Sequence, residues 1–242
     1  MINIEVCIDN IESLITAQNA GAGRIELCSS LALGGLTPSS GLIVQAVKQA
    51  NIPVYAMIRP RDGDFLYTSD EIEIMLADIH SAHLLGVQGV VFGLLNEQSQ
   101  IESETLKVLM QASKGLGVTF HRAIDCCLDT ELALDTILSA GCERILTSGL
   151  MNTAESGVDR IKKMVAQCRG RLSVMAGAGI NANNVAEIVK KSGVREVHLS
   201  GKSTRLSHMK VVENCGYLPE FMRINVTDSN KIEDVKQALQ GF

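Results

Sequence analysis

The sequence predicts a closed (β/α)8 barrel, and three observations predict it. Short apolar runs rich in β-branched residues, INIEVC, RIELC, VYAMIR, VQGVVF, VTFHR, RILTS, LSVMAG and REVHLS, alternate with longer amphipathic stretches. The segments that carry these eight runs start at residues 2, 24, 53, 87, 117, 144, 172 and 195, so 22 to 34 residues separate neighbours. Each interval has room for one helical crossover between parallel strands. Gly21, Gly86, Gly141 and Gly193 each precede a strand, where a helix must end in left-handed backbone that glycine adopts without a Cβ penalty. Eight units of this kind in one chain favour closure over an open doubly wound sheet.

The elements read in order. Helix starts are offered by Thr37-Pro38, Thr68 with Glu71, Asp129, Asn152 with Glu155, and Asn181, some of them with a capping-box partner. No linker or low-complexity segment interrupts the series, so residues 1–242 read as one barrel domain. After the eighth strand, residues 201–230 form a long loop or extension, placed on or beside the C-terminal face as a lid or an oligomer contact, before a last helix near Ile232 to Leu239.

Composition narrows the functional classes. The 242 residues are 46% hydrophobic and 20% charged, with a net charge of −5, as expected for a folded globular protein. No stretch approaches a membrane-spanning length, and Glu5, Asp9 and Glu12 stand where a secretory signal would carry Lys or Arg. A cytoplasmic protein without a membrane partner is the expectation. Mild acidity, no Trp and 3% aromatic content argue against a nucleic-acid partner. The seven cysteines contain no CxxC pair and are expected to be reduced, each by default a small buried hydrophobe.

Side-chain parity locates the chemistry. Ile4 and Val6, Ile25 and Leu27, Val118 and Phe120, and Val197 and Leu199 form the apolar parity that must face the helix layer. The opposite, inward parity reads Asn3, Glu5, Cys7; Arg24, Glu26, Cys28; Tyr55, Met57, Arg59; Thr119, His121; and Glu196, His198, Ser200. Barrel interiors are usually filled by Val, Ile and Leu, so this charged set is either a satisfied ion network or a functional site. Cys7, Cys28, Arg59, His121 and His198 fall near the C-terminal strand ends, where barrel enzymes build their sites. Closure brings strand 8 beside strand 1 and strand 1 beside strand 2. Cys7, Cys28 and His198 would then offer two thiolates and an imidazole to a soft ion such as Cu(I) or Zn(II).

Three loops add to this. IRPRDGDF (58–65) carries Arg59 and Arg61 as guanidinium forks suited to an anion, or as members of a self-paired charged loop. FHRAID (120–125) offers His121 as an acid/base candidate with Asp125 as its orienting carboxylate. GAGINA (177–182) and SGKST (200–204) follow strands 7 and 8, where Gly177, Gly179 and Lys202 are candidates for a phosphate grip. Glu26 is a second proton-transfer candidate. His80 and His83, and Cys126, Cys127, Cys142, Cys168 and Cys215, read as packing or surface residues.

EVCID, RIELCSSLALGGLTPS, IRPRDGDFLY, VVFGLL, TFHRAID, ILTSG and MAGAGI, in this order and spacing over residues 2 to about 205, resemble the CutC family, named for copper homeostasis. The resemblance implies a TIM barrel, a cytoplasmic setting, self-association as a homodimer or larger, and copper binding at the cysteines of the EVC and RIELC motifs, here Cys7 and Cys28. Two functions are therefore carried forward. One is a Cu(I)-binding copper homeostasis protein with thiolate ligands at the barrel mouth. The other is a barrel enzyme acting on a small anionic or phosphorylated metabolite held by Arg59 and Arg61.

Overall fold

The architecture is that of a computed structural model, which describes residues 2–210 and 222–242. Eight strands alternate with helices: β1 (Asn3–Ile8), α1 (Ile11–Asn19), β2 (Arg24–Leu27), α2 (Ser40–Gln49), β3 (Val54–Met57), α3 (Ser69–Leu84), β4 (Gly89–Phe92) and α4 (Ser103–Ala112). The second half continues with β5 (Gly117–Phe120), α5 (Thr130–Ala140), β6 (Arg144–Thr147), α6 (Val158–Cys168), β7 (Ser173–Ala176), α7 (Val185–Ser192) and β8 (Glu196–Leu199). All eight pair in parallel and in sequence order, and β8 closes on β1 with Glu5 opposite His198. This is a TIM barrel. Among the described residues, no helix is long and apolar enough to cross a membrane.

The parity reading holds on the strands for which the sequence supplies it, and the remaining strands follow the same alternation. Val6, Ile25, Leu27, Val54, Val90, Phe120, Ile145 and Val197 are fully buried between the sheet and the helix layer. That layer is the main core, and removing its apolar surface from water is the principal stabilising term. The interior is closed at the bottom by one ring. Tyr55 lies across the barrel with the Arg24 and Arg144 guanidiniums each 5.2 Å from its centroid, and its hydroxyl donates to Glu143 Oε2 at 3.0 Å. Gly89 and Gly117 exist for this ring: a Cβ on Gly89 would lie 2.4 Å from Tyr55 Cε2, and one on Gly117 2.1 Å from its Oη.

The helix starts follow the capping rules where the side chain is free to turn back. Thr68 and Glu71 complete both halves of a capping box on α3, and Asp129 accepts from Leu132 N at 3.0 Å on α5. Three starts differ from expectation. Thr37 Oγ1 is taken by the Arg59 N–H at 2.9 Å, so Ser39 caps α2 instead. Helix α6 begins at Val158 rather than near Asn152, because residues before it form turns that pass Gly157 against the Ser148–Gly149 backbone. Asn181 spends its carboxamide on Asn183 N in a turn, and α7 begins later, at Val185.

Part of the expected long connection is a two-stranded antiparallel ribbon, β9 (Lys202–Leu206) with β10 (Arg223–Thr227), followed by α8 (Ser229–Ala238). It docks beside the start of α1, where Arg205 pairs with Glu12 at 2.7 Å and Thr227 N donates to Ser13 Oγ at 3.0 Å. Cys215 lies outside the described residues.

Candidate functional site at the barrel mouth

The inward charges separate into two storeys. At the floor, Arg24 bridges Glu5 and Glu196, donating to Glu196 Oε2 at 2.5 Å, while Arg144 reaches Glu196 at 3.2 Å and Ser173 donates to Glu196 Oε1 at 2.5 Å. This is a satisfied ion network, the structural alternative for the charged interior. Arg144 was not in the inward set read from the sequence. The signal was present, since Ile145 and Thr147 flank an opposite parity of Arg144 and Leu146, but one short apolar run does not by itself fix which parity faces in.

Above the floor, the register places Cys7 beside Glu26 and Glu5 beside His198. One ligand atom each from Cys7, Glu26 and His198 lie within 4.8 Å of one another, all three residues buried. His198 is oriented from behind, its Nδ1 lying 2.8 Å from Glu5 Oε1. Its Nε2 therefore faces the cluster, 3.8 Å from Glu26 Oε2. Burial pushes the Glu5 carboxyl up, but the His198 hydrogen bond and the Arg24 charge outweigh it and hold the group at about 2. Burial also lifts Glu26, which has no direct bond to an arginine, and its carboxyl reaches about 7 with the Glu5 charge nearby. His198 is disfavoured as a cation by burial, yet the neighbouring Cys7 sulfur and Glu26 carboxyl hold it well above the usual histidine range.

Cys28 is not part of this cluster. Its thiol faces Glu26 Oε2 at 3.6 Å and is otherwise packed with Tyr55, Met57 and Val91, and a Cβ on Gly35 would lie 3.0 Å from its sulfur. Burial, then the Glu26 charge, hold this thiol well above the ordinary cysteine range.

A cavity of about 910 Å³ opens over the cluster on the C-terminal face. Arg59 and His121 line it from the far side. Arg59 is anchored by carbonyls, its Nη1 donating to Leu33 O at 3.0 Å and Gly35 O at 3.1 Å and its Nη2 to Gly63 O at 2.9 Å. His121 Nδ1 accepts from Ala123 N at 3.2 Å, which puts the ring proton on Nε2. Gly93 makes room for that ring, since a Cβ there would lie 2.5 Å from Nδ1. Burial and the Arg59 charge lower His121 to about 3, so the imidazole is neutral. Among the described residues, three buried polar atoms of these cavity-lining side chains have no hydrogen-bond partner: Glu26 Oε1, Arg59 Nε and His121 Nε2.

The remaining expected residues lie as follows. Asp125 does not orient His121; it receives Thr147 Oγ1 at 2.5 Å and the backbone N–H groups of Ser148 and Leu150, tying down the loop after β6. Arg61 faces away from the cavity, paired with Glu71 at 2.5 Å and Asp64 at 2.9 Å. Gly177 leaves space for Leu146, whose Cδ1 would lie 2.6 Å from a Cβ there. Gly179 and Lys202 do line the cavity, joined by Lys231 and Asp234 from α8, which no local sequence signal connects to the mouth. Lys231 donates to Lys202 O at 2.6 Å.

Fold and site together define a TIM-barrel protein with a cavity lined by buried polar side chains at its C-terminal mouth. The CutC family profile matches residues 2–203, and this chain belongs to the CutC family. It is 56% identical over 243 residues to a CutC protein of Photobacterium profundum, covering 99% of each chain. It is 52% identical over 229 residues to that of Pasteurella multocida, covering 95% of this chain and 92% of that one. A solved structure of a Streptococcus agalactiae CutC protein, named for copper homeostasis, superposes with a TM-score of 0.79 at 35% identity, covering 82% of this chain and 98% of that one. Phosphoribosylanthranilate isomerase from Thermotoga maritima, at 14% identity over the whole of both chains and a TM-score of 0.59, shares the fold alone.

Proposed function

We propose that this chain is a cytoplasmic copper homeostasis protein that takes a copper ion as cargo at the barrel mouth. The observation that carries the reading is the buried convergence of Cys7, Glu26 and His198. Thiolate and imidazole suit copper, and the Glu5 bond that directs His198 Nε2 inward is the outer-shell support that metal-binding histidines commonly have. His198 must give up a proton to ligate, so uptake releases protons and weakens in acid. Cys28 belongs to the next layer, where its bond to Glu26 steadies that carboxylate. In an anaerobic Cu(I) titration against a competing chelator, Cys7→Ser abolishes the tight site and Cys28→Ser weakens it less. Equal binding by wild type and Cys7→Ser would overturn the reading.

A second reading, an enzyme acting on a small anionic metabolite, is favoured by the unpartnered atoms of Glu26, Arg59 and His121 around one cavity. A volume of about 910 Å³ is in the range of metabolite sites. In this reading Arg59 holds the anion, Glu26 moves a proton near neutral pH, and the loops bearing Gly179 and Lys202 close the opposite rim. A thermal-shift screen of anionic metabolites tests it. A stabilising compound whose effect disappears in Arg59→Ala supports it, and a broad library without a hit counts against it.

A further inference from the structure

We infer that Arg59 and His121 form a donor-only cradle for one oxyanion, a carboxylate or phosphate group, of the ligand that the second reading places in the mouth. Both side chains are buried, both line the cavity, and both flank the Phe65 ring, with the His121 ring centroid 4.9 Å and the Arg59 Cζ 5.3 Å from it. Each has a single unsatisfied atom. Arg59 commits three of its four Nη–H groups to backbone carbonyls and its Nε has no partner, while His121 commits Nδ1 to the Ala123 N–H, which leaves Nε2–H.

The two leftovers are therefore both donors, and neither side chain has an acceptor to offer. A buried N–H without a partner is costly, and an acceptor placed between these two would satisfy both. A carboxylate or phosphate oxygen meets that requirement; an ammonium or a second N–H does not. The roles also part from those in the sequence reading. His121 serves as a neutral hydrogen-bond donor that positions ligand, not as the acid or base, and Arg59 acts through its Nε because its fork is already anchored. The surroundings fix this assignment: Gly93 admits the imidazole at a spacing no larger residue allows, and the carbonyls of Leu33, Gly35 and Gly63 hold the guanidinium still.

The test is NMR of protein labelled with ¹⁵N-histidine. The chain has five histidines, and the His121 ring signal is assigned by its loss in His121→Asn. Malonate and inorganic phosphate are titrated separately, with malonamide as the uncharged control. Wild type is expected to show a neutral Nε2–H tautomer at His121 and a saturable shift of that signal with malonate, with phosphate, or with both, which tells a carboxylate ligand from a phosphorylated one. Arg59→Lys keeps the charge and removes Nε–H, and the apparent affinity should fall at least about tenfold, the worth of one charge-assisted hydrogen bond. An Nδ1–H or cationic His121, or a His121 signal unmoved by both anions, overturns the cradle without recourse to any variant. Malonamide shifting the signal as strongly as malonate overturns its preference for an anion. If screened metabolites stabilise wild type, Arg59→Lys and His121→Asn equally, the cavity binds a ligand by other groups and only the cradle falls. If nothing in the screen binds and the anions leave His121 unmoved, the cradle and the second reading fall together.

Discussion

Replacing His121 by Asn should change how stability depends on pH, and by an amount that follows from its burial. Asn keeps an acceptor for the Ala123 N–H and removes the titrating ring. In the folded chain His121 titrates at about 3 rather than 6.5, so between these values the unfolded state binds a proton that the folded state refuses. The stability it contributes is complete above 6.5 and is lost as the pH falls toward 3. At pH 5 the gap below 6.5 is 1.5 units, which at 1.36 kcal/mol per unit amounts to about 2 kcal/mol. Wild type alone will not reveal it. Glu26, raised from 4.5 to about 7, binds its proton more tightly when folded and contributes the opposite slope, stability lost as the pH rises through that window. His198, raised above 6.5, adds to that opposing slope. The measurement is therefore a difference: urea midpoints at constant m-value for wild type and His121→Asn from pH 7.5 to 5. Wild type should lose about 2 kcal/mol relative to the variant over this range, on top of a pH-independent offset from the lost ring contacts with Phe65. Parallel profiles would refute the buried neutral imidazole.

Other outcomes follow from the same structure. Arg24→Met leaves Glu5 and Glu196 facing each other without their shared cation, and thermal unfolding should report a loss of about 3–5 kcal/mol. Gly117→Ala drives a methyl into the Tyr55 hydroxyl and should cost about 1–3 kcal/mol by overpacking. Adding Tyr55→Leu should recover part of that loss, so additive free energies in the double-mutant cycle would contradict the contact. Thr68→Ala removes one half of the α3 capping box and should lower stability by about 1 kcal/mol in chemical denaturation without affecting copper uptake, since α3 contributes nothing to the mouth.

Most of the mouth was legible because parity is a local property of a strand. Cys7, Glu26 and His198 each follow an apolar neighbour of opposite parity, and barrel closure alone suffices to put their strands side by side. Cys28 shares that parity but sits just past the end of the strand, so its thiol packs with Tyr55, Met57 and Val91 and faces Glu26 without completing the Cys7, Glu26 and His198 group. Asp125 was expected to serve His121 because it is close in sequence. The 3-10 turn at Arg122–Cys126 sends its carboxylate to the next strand's loop, where four backbone and hydroxyl donors converge. Arg61 has the same composition as an anion ligand, and only the packing of Glu71 and Asp64 around it reveals a surface ion pair.

The sequence by itself determined the barrel, its strand order and, on five of the eight strands, the side that faces the interior. Alternation along a strand and glycine at helix ends are set by each residue's own backbone and neighbours, and no distant contact is needed to read them. The tertiary structure alone decided which of the inward charges satisfy one another and which are left without a partner. Arg24, Arg144 and Glu196 neutralise each other at the floor, whereas Glu26, Arg59 and His121 keep an atom unpaired at the mouth. That division depends on distances across the barrel between residues up to 193 positions apart, as Glu5 and His198 are, and hydrogen bonding acts over distances that sequence spacing does not encode.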